Sequence, residues 1–126
     1  MLCKAAEISK NRRKHIIPSG ILYPVRNAGK RGIEVSITDD ELYQIFLNQN
    51  GKCALSSVDI SLTLSRTKNK TAEITASPDR IDSSKGYHVG NVQWIHKDIN
   101  FMKSNMPEDE FIHWCELIYL NKKANQ

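Results

Sequence analysis

The sequence predicts a small α+β domain in which an antiparallel β-hairpin runs directly into a helix, with further helices flanking this unit. Three observations predict it. Two short β-prone segments are separated by a turn-rich loop, the apolar period becomes helical after Ile95, and helix-start signals stand at Thr38 and Pro107. We therefore expect the hairpin and the helix that follows it to form the centre of the fold.

The first well-marked helix is predicted over Thr38–Asn50. Thr38 and Glu41 make a capping box, apolar residues then recur at helical spacing, and an Asn-Gly pair supplies a stop. Upstream of this helix, prolines and glycines interrupt any periodic pattern. A short helix around Tyr23–Arg31 is predicted there.

Three short strands are predicted, over Cys53–Leu55, Ala72–Ser77 and Asn91–Ile95, because these segments are β-prone and bracketed by polar loops. The last two are separated by a loop that holds Gly86 and Gly90, which can adopt backbone angles that other residues resist. These two strands are therefore expected to pair as a hairpin with a wide loop.

A helix is predicted directly after the last strand. Ile95, Ile99 and Met102 fall on one helical face, and Asn100 follows His96 by one turn on another face. The spacing thus predicts a strand that passes into a helix without a long connection.

The final helix is predicted over Pro107–Lys122, since acidic residues occupy its first turn and lysines stand at its end. Its apolar positions Phe111, Trp114, Cys115 and Ile118 recur at helical spacing. We expect this aromatic stripe to be buried in the core and not to form a platform for nucleic-acid bases.

The 126 residues amount to about one domain, and the charge is unevenly distributed along them. Residues 1–32 hold eight Lys and Arg against one Glu, whereas residues 33–126 hold ten against thirteen acids. We divide the chain into a basic N-terminal arm, 1–37, and a domain, 38–126, with a core motif over 72–104. Such an arm is typical of a partner of nucleic acid, and the alternative is a solvated basic tail.

Other classes of protein are disfavoured by what the sequence lacks. No apolar stretch approaches the length of a membrane span and no secretory leader is recognisable, so a cytoplasmic protein is expected. Cys3, Cys53 and Cys115 are odd in number and widely spaced, which argues against a disulfide framework and against structural zinc. No small-molecule cofactor is expected.

The stretch "SPDRIDSSKGYHVGNVQWIHKDINFMK", residues 77–103, concentrates acids, amides and basic residues. In the predicted hairpin and helix, Asp79 ends one strand and Asn100 lies in the opening turns of the helix. Their side-chain oxygens can meet at one point, and hard cations such as Mg²⁺ bind oxygen ligands. The alternative is that Asp79 caps the loop and Asn100 is a surface amide of the helix.

The same stretch resembles the HNH, or ββα-metal, endonucleases. The motifs "PDRID", "GNVQW" and "KDIN" carry the resemblance, which is strong over residues 77–103. Through "NGKCALS" and "EFIHWC" it extends loosely over 38–118. The chain is most similar to the phage and prophage branch, which has Asp-Arg-Ile-Asp where other members have Asp-His.

The resemblance implies a fold, a reaction and a set of residues. It implies a ββα-metal motif that hydrolyses phosphodiester bonds of double-stranded DNA with one Mg²⁺ or Mn²⁺ ion. Asp79 and Asn100 match the metal ligands of the family, and Asn91 matches the central Asn whose side chain braces the loop. A bacterial or phage-infected cell is the expected setting, and the resemblance leaves open a homing-type, a packaging-associated or a host-degrading phage nuclease.

Arg80 departs from the family pattern, because it stands where the family has a His that activates water. An arginine is always protonated and cannot act as a general base, although it can bind the scissile phosphate. His96 is the nearest candidate base, Asp82 the next and His88 a weaker one. Metal-bound water of lowered pKa would reduce the need for any base.

Basic residues near the motif are expected to contact the DNA backbone, and the arm is expected to hold flanking duplex. The predicted contacts are Lys85, Lys97 and Lys103 near the motif, and Arg12, Arg13, Lys14, Arg26, Lys30 and Arg31 in the arm. The leading expectation is a metal-dependent DNA endonuclease. The alternatives are a nucleic-acid-binding protein that keeps the scaffold without cleavage, and a small protein-interaction domain with a basic tail.

Overall fold

A computed structural model describes residues 17–62 and 73–126 of the chain. The helices and strands are α1 (Ser19–Arg26), a 3₁₀ turn (Ala28–Arg31), α2 (Asp39–Asn48), β1 (Ala76–Arg80), β2 (Val92–His96), α3 (Lys97–Lys103) and α4 (Glu108–Ala124). The α+β class is confirmed, because the described residues combine helices with a two-stranded antiparallel hairpin. No helix among them is long and apolar enough to cross a membrane.

The hairpin has the predicted partners, but both strands lie further along the chain than predicted. In its register Ala76 is opposite His96 and Arg80 is opposite Val92. The predicted first strand, over Ala72–Ser77, overlaps β1 only at its end, and Ala72 itself lies outside the described residues. The prediction stopped before Pro78, which has no N–H to donate to a sheet.

Pro78 is tolerated in β1 because of its position in the ladder. It lies opposite Trp94, whose backbone N–H and C=O both point away from β1 and bond to the side chain of Gln49. At such a non-hydrogen-bonded pair the nitrogen of the proline also faces the outer edge of the sheet. The missing N–H therefore removes no bond between the strands.

The predicted strand at Cys53–Leu55 is wrong, because this segment is a turn. The N–H of Cys53 bonds to Val58 O and the N–H of Ser57 bonds back to Cys53 O, which closes the segment on itself. Two bonds join the segment to β2: the N–H of Ala54 donates to Trp94 O at 3.0 Å, and Cys53 Sγ accepts the N–H of His96 at 3.4 Å. The apolar residues that suggested a strand pack here without forming a ladder.

Trp94 is the centre of the core and is completely buried. Its indole N–H donates to Leu42 O at 2.8 Å, and its ring meets Phe46 edge to face with 5.9 Å between ring centroids. These contacts attach α2 to β2. Helix α2 itself begins as predicted, with the Thr38–Glu41 capping box formed in both directions.

The described part of the predicted arm, residues 17–37, packs on the hairpin. Leu22, Val25 and Ala28 are buried in the same core as Trp94, and α1 contacts β1. The predicted helix around Tyr23–Arg31 is present as α1 followed by the 3₁₀ turn.

Helix α4 begins after Pro107 with the predicted acidic first turn, but its predicted burial is wrong. None of its residues is buried: Phe111 is half-buried, whereas Trp114, Cys115 and Ile118 are exposed. The helix does have an apolar face, as the spacing indicated, but the described part of the molecule does not cover it.

Candidate functional site

The candidate site lies where the hairpin passes into α3. His96 ends β2 and caps α3, so the helix starts without a loop and folds back over the hairpin. Ser77 and Asp79 are two residues apart and therefore lie on the same face of β1. They contact two residues that share one face of α3. Asn100 donates its amide N–H to Ser77 Oγ at 2.6 Å, and Lys103 donates to Asp79 Oδ1 at 3.1 Å. The two predicted metal ligands thus lie on facing elements, in adjacent contacts.

Asp79 is 5% exposed and does not cap the loop. Its second oxygen, Oδ2, accepts from Gln93 Nε2 at 3.0 Å, and the same amide nitrogen donates to Glu108 Oε1 at 2.7 Å. Burial raises the pKa of the Asp79 carboxyl above its ordinary value, although the bonds from Gln93 and Lys103 act in the opposite direction. The carboxylate is therefore held in a dry environment where it requires a cationic partner.

Lys103 is that partner, and its predicted contact with DNA must be corrected. Its side chain is completely buried, and the ammonium group donates to Asp79 Oδ1 and to Arg80 O, each at 3.1 Å. An ammonium buried in this way does not reach a phosphate on the surface. The sequence contains a signal for this contact, because Lys103 lies three residues after Asn100 on the same helical face.

The donor atoms at this junction suit a hard cation in kind. They are a carboxylate, an amide oxygen and a hydroxyl, from Asp79, Asn100 and Ser77. However, both oxygens of Asp79 already accept hydrogen bonds, and the cation beside it is the ammonium of Lys103. Among the described residues, no group of three His, Cys, Asp or Glu side chains is placed to hold a metal. A divalent ion bound to Asp79 would therefore compete with that ammonium.

Asn91 has the bonds that a loop brace requires. It is buried, its Oδ1 accepts the N–H of Asp82 at 2.9 Å, and its Nδ2 donates to the carbonyls of Asp82 and Gly86. One side chain thus joins the start and the middle of the hairpin loop.

Arg80 fastens the same loop from the other side of β1. Its Nη1 donates to Ser83 O at 2.8 Å and to Lys85 O at 2.9 Å, and its guanidinium carbon lies 5.4 Å from the centre of the Tyr87 ring. Arg80, Lys85 and His88 also line a polar cavity of about 440 Å³, together with one acidic residue, Glu34. Basic groups around a polar cavity are suited to an anion such as a phosphate.

The three candidate bases differ in what their side chains already do. His96 Nδ1 accepts the N–H of Asp98 at 3.1 Å, which caps α3 and uses the lone pair of that nitrogen. His88 Nδ1 lies 3.0 Å from Val89 O, an acceptor, so this nitrogen carries the proton and Nε2 keeps its lone pair. Hydrogen bonds from the hydroxyl and the N–H of Ser84 lower the pKa of Asp82, which weakens it as a base. The bonding pattern favours His88.

The remaining predicted DNA contacts within the described residues are surface residues, several of them in ion pairs. Arg26 pairs with Asp39 at 2.9 Å, Lys97 with Glu73 at 2.7 Å and Lys85 with Asp82 at 3.9 Å. Arg31 donates to Pro24 O, and with Lys30 it lines a second cavity, of about 430 Å³. Exposed pairs of this kind are weak and can open toward a phosphate. Arg12, Arg13 and Lys14 lie outside the described residues.

The chain matches no family model, no curated protein and no solved structure. What the structure establishes is the α+β class and the geometry of the junction between hairpin and helix. The functional conclusion therefore rests on that geometry, together with the motif resemblance.

Proposed function

We propose that this protein is a metal-dependent DNA endonuclease of the HNH type. The observation that carries the proposal is the junction itself, where a hairpin passes directly into a helix and the Asp79 and Asn100 side chains make neighbouring contacts. This arrangement has the order and residue types that the motif resemblance implies. The proposal includes the ββα-metal identity of the fold.

Each residue near the junction then has a chemical task. Asp79 and Asn100 would hold one Mg²⁺ or Mn²⁺ ion, which when bound polarises a phosphate oxygen and lowers the pKa of water. Arg80 and Lys85 bind the phosphate from the polar cavity. Asn91 keeps the loop in place, and His88 Nε2 accepts a proton from the attacking water.

Nicking of a supercoiled plasmid tests the proposal. Cleavage is expected with Mg²⁺ or Mn²⁺ and not with a chelator. Asn100→Ala should lower the rate by about 10²-fold or more, a typical loss when one group of an electrostatic site is removed. Asn105→Ala is the matched control, since Asn105 is an exposed amide just after α3 whose side chain bonds to no described residue. Equal rates for the two variants would contradict the proposal.

The choice of base gives a second test, on the two histidines. His88→Gln is expected to lower the cleavage rate and to flatten its rise with pH, because the only free lone pair of the ring is lost. His96→Gln is expected to lower stability through the cap of α3, with the pH profile retained. Rates measured over a pH series, with melting temperatures for both variants, separate the two roles.

A nucleic-acid-binding protein without cleavage is the second candidate, and one observation favours it. The ammonium of Lys103 already compensates the charge of Asp79, so the junction is stable as a structural ion pair. DNA binding that is undiminished by chelator, without nicking under any divalent ion, would support this second function over the first.

A further inference from the structure

Helix α4 is more apolar on its surface than a solvated helix should be. Its 17 residues include no buried side chain, and its large exposed residues are Ile112, Trp114, Leu117, Ile118, Tyr119 and Leu120, each between 44% and 61% exposed. Contiguous apolar surface of this kind marks an interaction site in a folded protein. Two of them, Trp114 and Ile118, belong to the stripe that the sequence predicts to be buried, which is the pattern expected of a face covered by a partner.

Part of this surface forms one straight band, which we call the α4 stripe: Phe111, Ile112, Cys115, Ile118 and Tyr119. Their spacing of three and four residues places them on a single face of the helix. Glu108 lies one turn before the stripe and Lys122 one turn after it, on the same face. The band is thus apolar along its length, acidic at its start and basic at its end.

We propose that two copies of this chain pair through the α4 stripe with the two helices antiparallel. In that orientation, Glu108 of one copy comes near Lys122 of the other at both ends of the contact. A parallel pair would instead place like charges together. Because Cys115 lies near the middle of the helix, the two-fold axis passes close to it.

A groove beside the stripe receives the second copy. Leu55, Ile99 and Met102 line an apolar cavity of about 290 Å³ together with Phe111 and Ile112 of α4. In the antiparallel pair, the exposed Ile118 and Tyr119 of one copy lie opposite Ile112 and Phe111 of the other. They therefore extend into this groove, which accounts for both apolar surfaces at once.

Charge argues against a polyanionic occupant of the stripe. Helix α4 holds four acids against Lys122 and Lys123, and both lysines lie in its last turn, so its net charge disfavours nucleic acid and an anionic membrane surface. The area reaches the lower limit for a specific dimer: the five side chains of the stripe offer on the order of 100 Å² each, so two copies together bury about 1,000 Å².

The oligomeric state in solution tests the pairing, with no DNA or metal present, so its outcome is independent of the nuclease proposal. Light scattering behind size exclusion, over a concentration series of the full chain, is expected to give a dimer. Ile118→Glu should give a monomer with unchanged circular dichroism, because the residue is 61% exposed in one copy. Leu120→Glu is the matched control: it is 53% exposed on the same helix, lies off the stripe, and should leave the dimer intact.

Cross-linking tests the antiparallel register. In a Cys3→Ser background, mild oxidation is expected to join two copies through Cys115, and Cys115→Ser should abolish the product while the dimer persists. A wild-type protein that is monomeric throughout the series overturns the proposal, whether residues 1–16 or a different protein then cover the stripe. Equal behaviour of Ile118→Glu and Leu120→Glu also overturns it.

Discussion

Asp79 and Lys103 form a buried ion pair within the candidate site. Both side chains are buried and their charges compensate each other inside the junction. The sequence placed Asp79 on the hairpin and Asn100 on the following helix, and the structure has them on facing elements, where Asp79 bonds to Lys103 and Asn100 to Ser77. The sequence did not identify Lys103 as the partner of Asp79. A lysine side chain is long enough for its ammonium to reach either solvent or an interior carboxylate, and lysines in folded proteins are mostly exposed.

Substitution of Lys103 should show whether a metal competes with its ammonium. Lys103→Met leaves the buried carboxylate of Asp79 without a cationic partner, so the free energy of unfolding should fall by about 3–5 kcal/mol. Added Mn²⁺ should then raise the melting temperature of Lys103→Met more than that of the wild type, because binding to the folded state alone stabilises it.

The double variant Asp79→Asn, Lys103→Met is the control for that measurement. It removes both charges, so it should recover part of the lost stability and show no response to Mn²⁺. A Lys103→Met protein that does not respond to Mn²⁺ while its fold is intact would argue for the non-cleaving function.

At the scale of elements, sequence motifs predicted the features that depend on hydrogen bonds between residues close in the chain. The capping box of α2 is present because two side chains and two N–H groups within four residues define it. The position of β1 was missed because a strand tolerates Pro78 only where the proline nitrogen faces the outer edge. Which way that nitrogen faces depends on the pairing with β2 and cannot be read from the segment alone. The turn at Cys53 was missed for a similar reason, since its bonds run within 53–58 and to Trp94 and His96 of β2.

The hairpin loop gives a prediction about acid stability. The bonds from Ser84 lower the pKa of Asp82 in the folded protein, so the unfolded chain binds this proton more tightly. The contribution of Asp82 is therefore complete above the ordinary Asp pKa of about 3.9, and it is lost as pH falls through the lower folded value. Asp82→Asn should lower the melting temperature at neutral pH and reduce its further fall in acid.

Gly86 gives a second prediction for the same loop. A Cβ at this position would overlap the backbone carbonyl of Glu34, which accepts the N–H of Tyr87 at 2.8 Å. Gly86→Ala should therefore push residues 33–36 away from the loop and cost about 1–3 kcal/mol in thermal or urea unfolding. Gly20→Ala is the control: its Cβ meets nothing within 4 Å in α1, so this variant should be neutral or slightly stabilised.

At the scale of the whole molecule, the charge of the N-terminal segment does not indicate how that segment packs. The net charge of +4 is concentrated before residue 33, yet residues 17–37 supply core side chains such as Leu22 and Val25. Composition therefore predicted the electrostatic character of this segment and not its packing. The exposure of α4 was equally beyond the sequence, because periodicity shows that a face is apolar but not whether this chain or another one covers it.

The charge distribution predicts how binding to DNA responds to salt. If several surface Lys and Arg contact phosphates, the logarithm of the binding constant should fall linearly with the logarithm of salt concentration, by about 0.9 per phosphate contact. Lys97→Gln should reduce that slope by about one unit, whereas Leu120→Gln should not change it. A flat dependence, measured by fluorescence anisotropy on a short duplex, would instead indicate a protein-interaction domain.

Both outer edges of the two-stranded sheet lack free hydrogen-bonding N–H groups at their middle residues, Pro78 and Trp94. Pro78 offers no donor along the free side of β1, and the Gln49 amide and Ala54 N–H occupy the polar groups of Trp94 along the free side of β2. A strand from another molecule therefore finds no N–H donor at Pro78 and no unpaired backbone group at Trp94, which disfavours strand addition at the middle of either edge. Self-association that keeps the fold is directed to helical surfaces.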